Sequence, residues 1–207
     1  MVVPILAGMG CFLFPLAWDA GDARAPRALK WLLGSICVGL YLWAAVTLLA
    51  DPWRFHTPLA LRIAAGACAA AFLLLLVRSL AIEIGGPRGG PAPAGARVLV
   101  TTGTYALVRH PGVLWYLFFH LLLGAAWGSV PFLIAAPLWA GLNTAVAAVQ
   151  DRITFPRQFG APYEDYRRAV PFLVPSRASL RRFRATGGLR GARGNRPPRG
   201  TRHDERH

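Results

Sequence analysis

The sequence predicts an all-α integral membrane protein with about five transmembrane helices. Of its 207 residues, 55% are hydrophobic and 15% are charged, whereas an average globular chain is about 25% charged. The mean hydropathy is +0.41. The apolar residues also lie in long runs, and a helix of about 20 apolar residues is long enough to cross the hydrocarbon core of a membrane.

Five candidate spans follow from these runs. Residues 1–18 are interpreted as a retained helix and not as a cleaved signal peptide, because no basic segment precedes the apolar run. Trp31–Ala50 has no charged residue, and Leu59–Ile84 has three, among them Arg78 and Glu83, which we expect to pair at the membrane interface. Residues 112–150 contain no Asp, Glu, Lys or Arg. They are too long for one span and predict a helical hairpin that turns near residues 127–131, where Gly and Pro cluster.

The distribution of Lys and Arg predicts the orientation of these helices. With five spans, Arg54 is the one basic residue in an outer loop, and the basic residues of the other loops and of the C-terminal part lie on the inner side. Because basic loops are retained in the cytoplasm, we expect the N-terminus outside and the C-terminus in the cytoplasm of a bacterial plasma membrane.

The chain divides into four parts on this basis. Residues 1–84 hold three transmembrane helices, residues 85–96 form a Gly/Pro/Ala linker, residues 97–175 carry the polar motifs, and residues 176–207 form a basic tail. The tail holds ten arginines and cannot bury a core, so we expect it to be disordered. A basic segment beside a membrane favours contact with anionic lipid headgroups. No nucleic-acid-binding motif accompanies it, and no nucleic-acid partner is expected.

The cysteines do not indicate a metal site. Cys11, Cys37 and Cys68 lie in three different predicted helices and in apolar sequence. They are therefore expected to be small buried side chains, and neither a disulfide nor a zinc site is predicted.

Two polar segments flank the predicted hairpin. The first is residues 99–111 (LVTTGTYALVRHP), and the second begins with Asp151 and continues through residues 159–166 (FGAPYEDY). A hairpin that leaves and returns to the same face of the membrane brings the two segments together. Their cations, carboxylate and phenols would suit a polar, zwitterionic small molecule.

In order and spacing, these motifs resemble those of the isoprenylcysteine carboxyl methyltransferases and their bacterial relatives, and the membrane phospholipid methyltransferases share the general plan. The resemblance covers about residues 97 to 175. It implies a membrane enzyme that uses S-adenosyl-L-methionine to methylate a carboxylate or amine of a lipid-like or membrane-partitioned acceptor. The implied cofactor pocket is cytoplasmic and is formed by the last helical hairpin and the C-terminal segment.

The resemblance also implies which residues bind the cofactor, without assigning a catalytic residue. Arg109 would pair with the carboxylate of the cofactor, and Asp151 would balance its ammonium group. Tyr163, Tyr166 and His120 are candidates for the pocket or the substrate site; alternatively, the tyrosines pack the C-terminal segment and His120 is buried and bonded to a backbone carbonyl. The implied cofactor-binding residues are Leu99, Val100, Tyr105, Arg109, His110, Pro111 and Asp151.

The chain departs from the family at four positions. Asp151 stands where the family has Glu, and Arg152 where members often have a second Glu. Val113 stands where many members have Tyr, and Ala147 where the prenylcysteine enzymes have a substrate-binding Arg. A prenylcysteine substrate is therefore not implied. Two other interpretations stay open: a non-catalytic membrane protein resembling the NnrU-type proteins, and an NADPH-dependent sterol-type membrane reductase.

Overall fold

The computed structural model describes residues 1–13, 26–84 and 98–189. Within these residues the chain is mostly helical and has no β-strand, which confirms the predicted all-α class. The linker at residues 85–96, the end of the first predicted span and the last part of the basic tail lie outside the described residues.

The described helices are short at both ends of the chain and long in the middle. The helix Leu59–Val77 continues through Arg78–Ile84, and Val130–Val149 continues through Gln150–Thr154, both as π-helical turns. A 3₁₀ turn at Gly103–Ala106 precedes the helix that begins at Pro111. The helices are α1 (Val2–Gly10), α2 (Arg27–Ala50), α3 (Leu59–Val77), α4 (Pro111–Trp127), α5 (Val130–Val149), α6 (Phe155–Phe159), α7 (Ala161–Ala169) and α8 (Arg177–Ala185).

Three helical segments are long and apolar enough to cross a membrane: Trp31–Ala50, Leu59–Ile84 and Val130–Phe159. Only 6% of the apolar window within Leu59–Ile84 is buried inside the protein. A helix that is apolar all round but is not enclosed by protein is expected to face lipid. The chain is therefore a membrane protein. The count of five spans stays a prediction, because α1 and α4 are shorter than these three segments.

The predicted hairpin is formed by α4 and α5. Gly128 reverses the chain with a φ of 75°, in the left-handed region that glycine adopts without a steric cost. The next residue, Ser129, caps α5: its hydroxyl accepts from the backbone N–H of Phe132 and donates to the carbonyl of Leu48 at 2.6 Å. Phe55 N–H donates to the Gly128 carbonyl at 2.9 Å. The hairpin turn and the α2–α3 loop therefore lie at the same end of the bundle.

The apolar core lies between α1, α2, α4 and α5. Trp139 of α5 is fully buried, and its indole N–H donates to the carbonyl of Ile5 at 3.0 Å. Gly8 of α1 lies directly against the indole, since a Cβ at that position would come within 2.5 Å of the ring. Helix α1 is thus held on the hairpin by close packing and by one hydrogen bond.

The expectation of a disordered tail from residue 176 onward is wrong for the first part of that tail. Arg177–Ala185 forms α8, and a reciprocal pair of hydrogen bonds starts the helix: Ser176 Oγ accepts from Ser179 N–H at 3.1 Å, and Ser179 Oγ accepts from Ser176 N–H at 2.9 Å. Ser179 is fully buried, and α8 packs against the Gly103–Ala106 turn. The N-terminal cap and this packing stabilise a helix in a segment whose arginine-rich composition alone predicts disorder.

Candidate functional site

The two polar segments meet at the end of the bundle opposite to the hairpin turn. Arg109 and Asp151 are 42 residues apart in sequence and form a bidentate ion pair, with Nε–Oδ1 at 2.7 Å and Nη2–Oδ2 at 3.0 Å. The hairpin produces this contact, because α4 starts two residues after Arg109 and Asp151 follows the end of α5. The predicted proximity of Asp151 and His110 is present as well, with 3.3 Å between His110 Nε2 and Asp151 Oδ1.

Asp151 is the centre of a buried hydrogen-bond network. Its side chain is 5% exposed, and Oδ1 also accepts from the Tyr163 hydroxyl at 2.5 Å. Arg167 Nε lies 3.7 Å from Oδ2. A buried carboxylate is costly unless cations and donors surround it, and here they do. We call Arg109, His110, Asp151 and Tyr163 the site network.

Arg109 connects this network to the segment after α7. Its Nη1 group donates to the carbonyls of Arg167 and Val170 at 2.9 and 2.6 Å. The backbone N–H groups of Arg109 and His110 donate to the carbonyls of Pro171 and Phe172. The guanidinium therefore uses most of its five N–H donors within the protein.

A cavity of about 450 Å³ lies next to the site network, within the range of small-molecule sites, about 300 to 1,000 Å³. Most of its wall is apolar or aromatic. Six of the residues implied by the family resemblance line it: Leu99, Val100, Tyr105, Arg109, Tyr163 and Tyr166. Five other residues complete the wall. They come from the π-helical turn after α3, from the position just before the first polar segment, and from α6: Ile84, Val98, Phe155, Gln158 and Phe159.

Three of the implied cofactor residues do not line the cavity. Asp151 is 3% exposed, and its carboxylate is surrounded by its partners Arg109, His110 and Tyr163. The ring of His110 stacks on Phe155, with ring centroids 5.9 Å apart, and so lies behind the wall. Pro111 is fully buried at the first position of α4, where the missing N–H of proline costs no hydrogen bond.

The two tyrosines of α7 have their hydroxyls occupied by protein partners. Burial raises the pKa of Tyr163, and its hydrogen bond to Asp151 raises it further. Burial also raises the pKa of Tyr166, whose hydroxyl donates to the carbonyl of Tyr105 at 2.8 Å. Both hydroxyls therefore stay protonated and act as donors that hold the cavity wall.

Glu83 anchors the cavity wall, and the sequence did not indicate this role. The predicted Arg78–Glu83 ion pair is present at 3.1 Å. The Glu83 carboxylate also accepts from the backbone N–H and the hydroxyl of Thr104, at 2.9 and 2.6 Å. Gly103, with a φ of 64°, lies so close that a Cβ there would be 2.7 Å from the carboxylate. The sequence feature that could have indicated this role is the position of Glu83, an acidic residue at the end of an apolar run.

His120 does not line this cavity. It is 2% exposed within the apolar core. Its Nδ1 lies 2.7 Å from the carbonyl of Tyr116, and its Nε2 is hydrogen-bonded to the Tyr41 hydroxyl. The alternative interpretation, a buried histidine bonded to a backbone carbonyl, is confirmed.

Fold and site together define a helical membrane protein with a cavity of about 450 Å³ beside the ends of two apolar segments, Leu59–Ile84 and Val130–Phe159. No family model matches the chain, and no curated protein and no solved structure is significantly similar to it.

Proposed function

We propose that the protein is an S-adenosyl-L-methionine-dependent methyltransferase that acts on a lipid-like or membrane-partitioned acceptor at the cytoplasmic face of a bacterial plasma membrane. One observation carries the proposal: six of the residues implied by the family resemblance line one cavity. They reach it from both sides of a hairpin, and an arrangement of this kind is expected of a binding site and is not required by packing alone.

The residues of the cavity suit this cofactor in size and chemistry. The volume of about 450 Å³ is that of a small-molecule site. The aromatic rings of Tyr105, Phe155, Phe159 and Tyr163 offer faces for an adenine ring and for a sulfonium cation. Arg109 keeps one Nη2 hydrogen for the cofactor carboxylate. This single hydrogen bond is weaker than a bidentate pair, because Arg109 already forms its bidentate pair with Asp151.

The cofactor would supply an electrophilic methyl group, and the chain would supply binding, orientation and exclusion of water. The site network fixes Arg109 and Tyr163, two neighbours in the cavity wall. Ile84, Val98 and Leu99 make another part of the wall apolar. Because Ile84 is also the last residue of an apolar segment long enough to span the membrane, an acceptor in the bilayer lies close to the cavity.

The described cavity does not favour the reductase alternative. NADPH is much larger than S-adenosylmethionine and carries several phosphate groups, which proteins bind with cations and helix N-termini. In the part of the chain that the structure describes, Arg109 is the one cation that lines the cavity, and it is already paired with Asp151.

Titration of the purified full-length protein in detergent tests the proposal. We expect S-adenosylhomocysteine to bind with a 1:1 heat signal and NADPH to give none. Incubation with methyl-labelled S-adenosylmethionine and a membrane lipid extract should then transfer label into the organic phase. Binding of NADPH alone would favour the reductase. Binding of neither ligand would favour the non-catalytic interpretation.

A further inference from the structure

Helix α8 carries an unbalanced positive face. Arg177, Arg181 and Arg184 follow one another at spacings of four and three residues, so they lie on one side of the helix, and all three are exposed. We call these three residues the arginine stripe. Leu180 lies on the same side and is 41% exposed. The exposed face of α8 is thus cationic with an apolar residue at its edge.

The charges of the neighbouring helix are balanced, and those of the stripe are not. On α7, Arg168 pairs with Asp165, and Arg167 pairs with Glu164 and approaches Asp151. The arginine stripe makes no ion pair with any acid among residues 1–13, 26–84 and 98–189. Its charge is therefore directed outward and not into the protein.

The position of α8 places this face beside the membrane. Arg78, near the end of the apolar segment Leu59–Ile84, donates a hydrogen bond to the carbonyl of Leu189, four residues after α8. The Gly103–Ala106 turn, which contacts α8, is itself held by Glu83 of the same segment. Helix α8 thus lies at the level where this segment ends, which is the level of the lipid headgroups.

We propose that the arginine stripe of α8 binds the headgroups of anionic phospholipids in the bilayer that holds the protein. Arginine side chains suit phosphate groups in geometry and charge, and Leu180 suits the adjacent acyl region. An interfacial helix typically combines a basic face with apolar anchors in this way. The proposal concerns α8 alone and does not depend on methyltransferase activity.

Lipid titration of the full-length protein in a neutral detergent tests the proposal. The ligands are short-chain phosphatidylglycerol, phosphatidylcholine of the same chain length and a single-stranded oligonucleotide. We expect phosphatidylglycerol to bind more tightly than phosphatidylcholine, with a preference that shrinks as the salt concentration rises. The stripe variant Arg177→Gln/Arg181→Gln/Arg184→Gln should lose roughly ten- to a hundredfold in phosphatidylglycerol affinity.

A matched control removes the same charge elsewhere. Arg193→Gln/Arg196→Gln/Arg199→Gln also deletes three arginines and should change phosphatidylglycerol affinity little. If the stripe variant does not fold, Arg181→Gln/Arg184→Gln replaces it, with a smaller loss expected. Equal losses from stripe and control, no lipid preference, or stripe-dependent binding of the oligonucleotide in place of the lipid would each overturn the proposal.

Discussion

The described part of the chain contains two buried polar networks that both include a histidine, and they differ in charge and in surroundings. The core network consists of Tyr41, Tyr116 and His120: the Tyr116 hydroxyl donates to that of Tyr41 at 3.0 Å, and the Tyr41 hydroxyl is hydrogen-bonded to His120. Its partners are hydroxyls and one backbone carbonyl. The site network contains an arginine and a carboxylate and borders the cavity.

This difference indicates how each network serves the protein. Uncharged groups that satisfy one another inside an apolar bundle join helices at a modest desolvation cost. A buried ion pair costs far more to desolvate and is weak evidence for stability by itself. The site network is therefore better explained by the cavity wall that it positions than by stability. A histidine inside an apolar helix does not by itself indicate a binding site. The hydrogen-bond partners of its ring nitrogens show whether it is structural or available to a ligand.

The largest effect should come from Asp151→Asn. This change leaves the Arg109 guanidinium buried without its counter-charge, and breaking a buried pair in this way costs about 3–5 kcal/mol. Unfolding of the full-length protein in mixed detergent micelles measures the loss. Asp165→Asn is the control: its pair with Arg168 is 77–79% exposed and should contribute less than about 1 kcal/mol. Similar losses for both variants would show that the Arg109–Asp151 pair is not buried.

A smaller effect is expected from Tyr163→Phe. The hydroxyl donates to the charged Asp151 carboxylate, and a hydrogen bond to a charged group contributes about 1.5–3 kcal/mol. Tyr166→Phe removes a neutral bond to the Tyr105 carbonyl and should cost only about 0.5–1.5 kcal/mol. The free energies of unfolding of the two variants are compared directly. A larger loss for Tyr166→Phe would contradict the description of Asp151 as the charged centre of the network.

His120→Phe should lower the stability of the protein but leave ligand binding unchanged. The free energy of unfolding should fall by about 1–3 kcal/mol, because the Tyr41 hydroxyl loses its acceptor in an apolar core. The triple variant Tyr41→Phe/Tyr116→Phe/His120→Phe should regain part of that loss, since no hydroxyl of the core network is then left without a partner. Affinity for S-adenosylhomocysteine should not change in either variant. A drop in affinity with stability retained would connect the core network to the cavity.

Much of the fold was predictable because uncharged apolar segments favour lipid, whereas polar and charged segments favour water. The absence of charge in residues 112–150 and the Gly and Pro residues around the turn determine the α4–α5 hairpin. That hairpin determines that Arg109 and Asp151 meet. Helix α8 was missed because an arginine-rich composition indicated disorder, whereas Ser176 and Ser179 form a cap that depends on two side-chain rotamers.

The location of the site was more predictable than the hydrogen-bond partners of its residues. The sequence shows that Arg109 and Asp151 share one region, but not whether each binds a ligand or the other. Desolvation determines which partner each residue takes. Asp151 is almost fully buried, so it needs a nearby cation, and Arg109 is the nearest one. The two residues therefore pair with each other. The role of Glu83 was missed for a related reason, because its partner Thr104 lies across a Gly/Pro-rich linker whose path the sequence does not specify.

The central claim is that the cavity beside the site network binds S-adenosylmethionine, and one pair of variants tests it most directly. Val100 lines the cavity, so Val100→Trp should fill it, whereas Val174 is 79% exposed and Val174→Trp should change nothing. Calorimetric titration with S-adenosylhomocysteine should show at least a roughly tenfold weaker affinity, about 1.4 kcal/mol, for Val100→Trp alone. Equal affinity of both variants and of the parent protein would contradict the account, because the ligand would then bind outside this cavity.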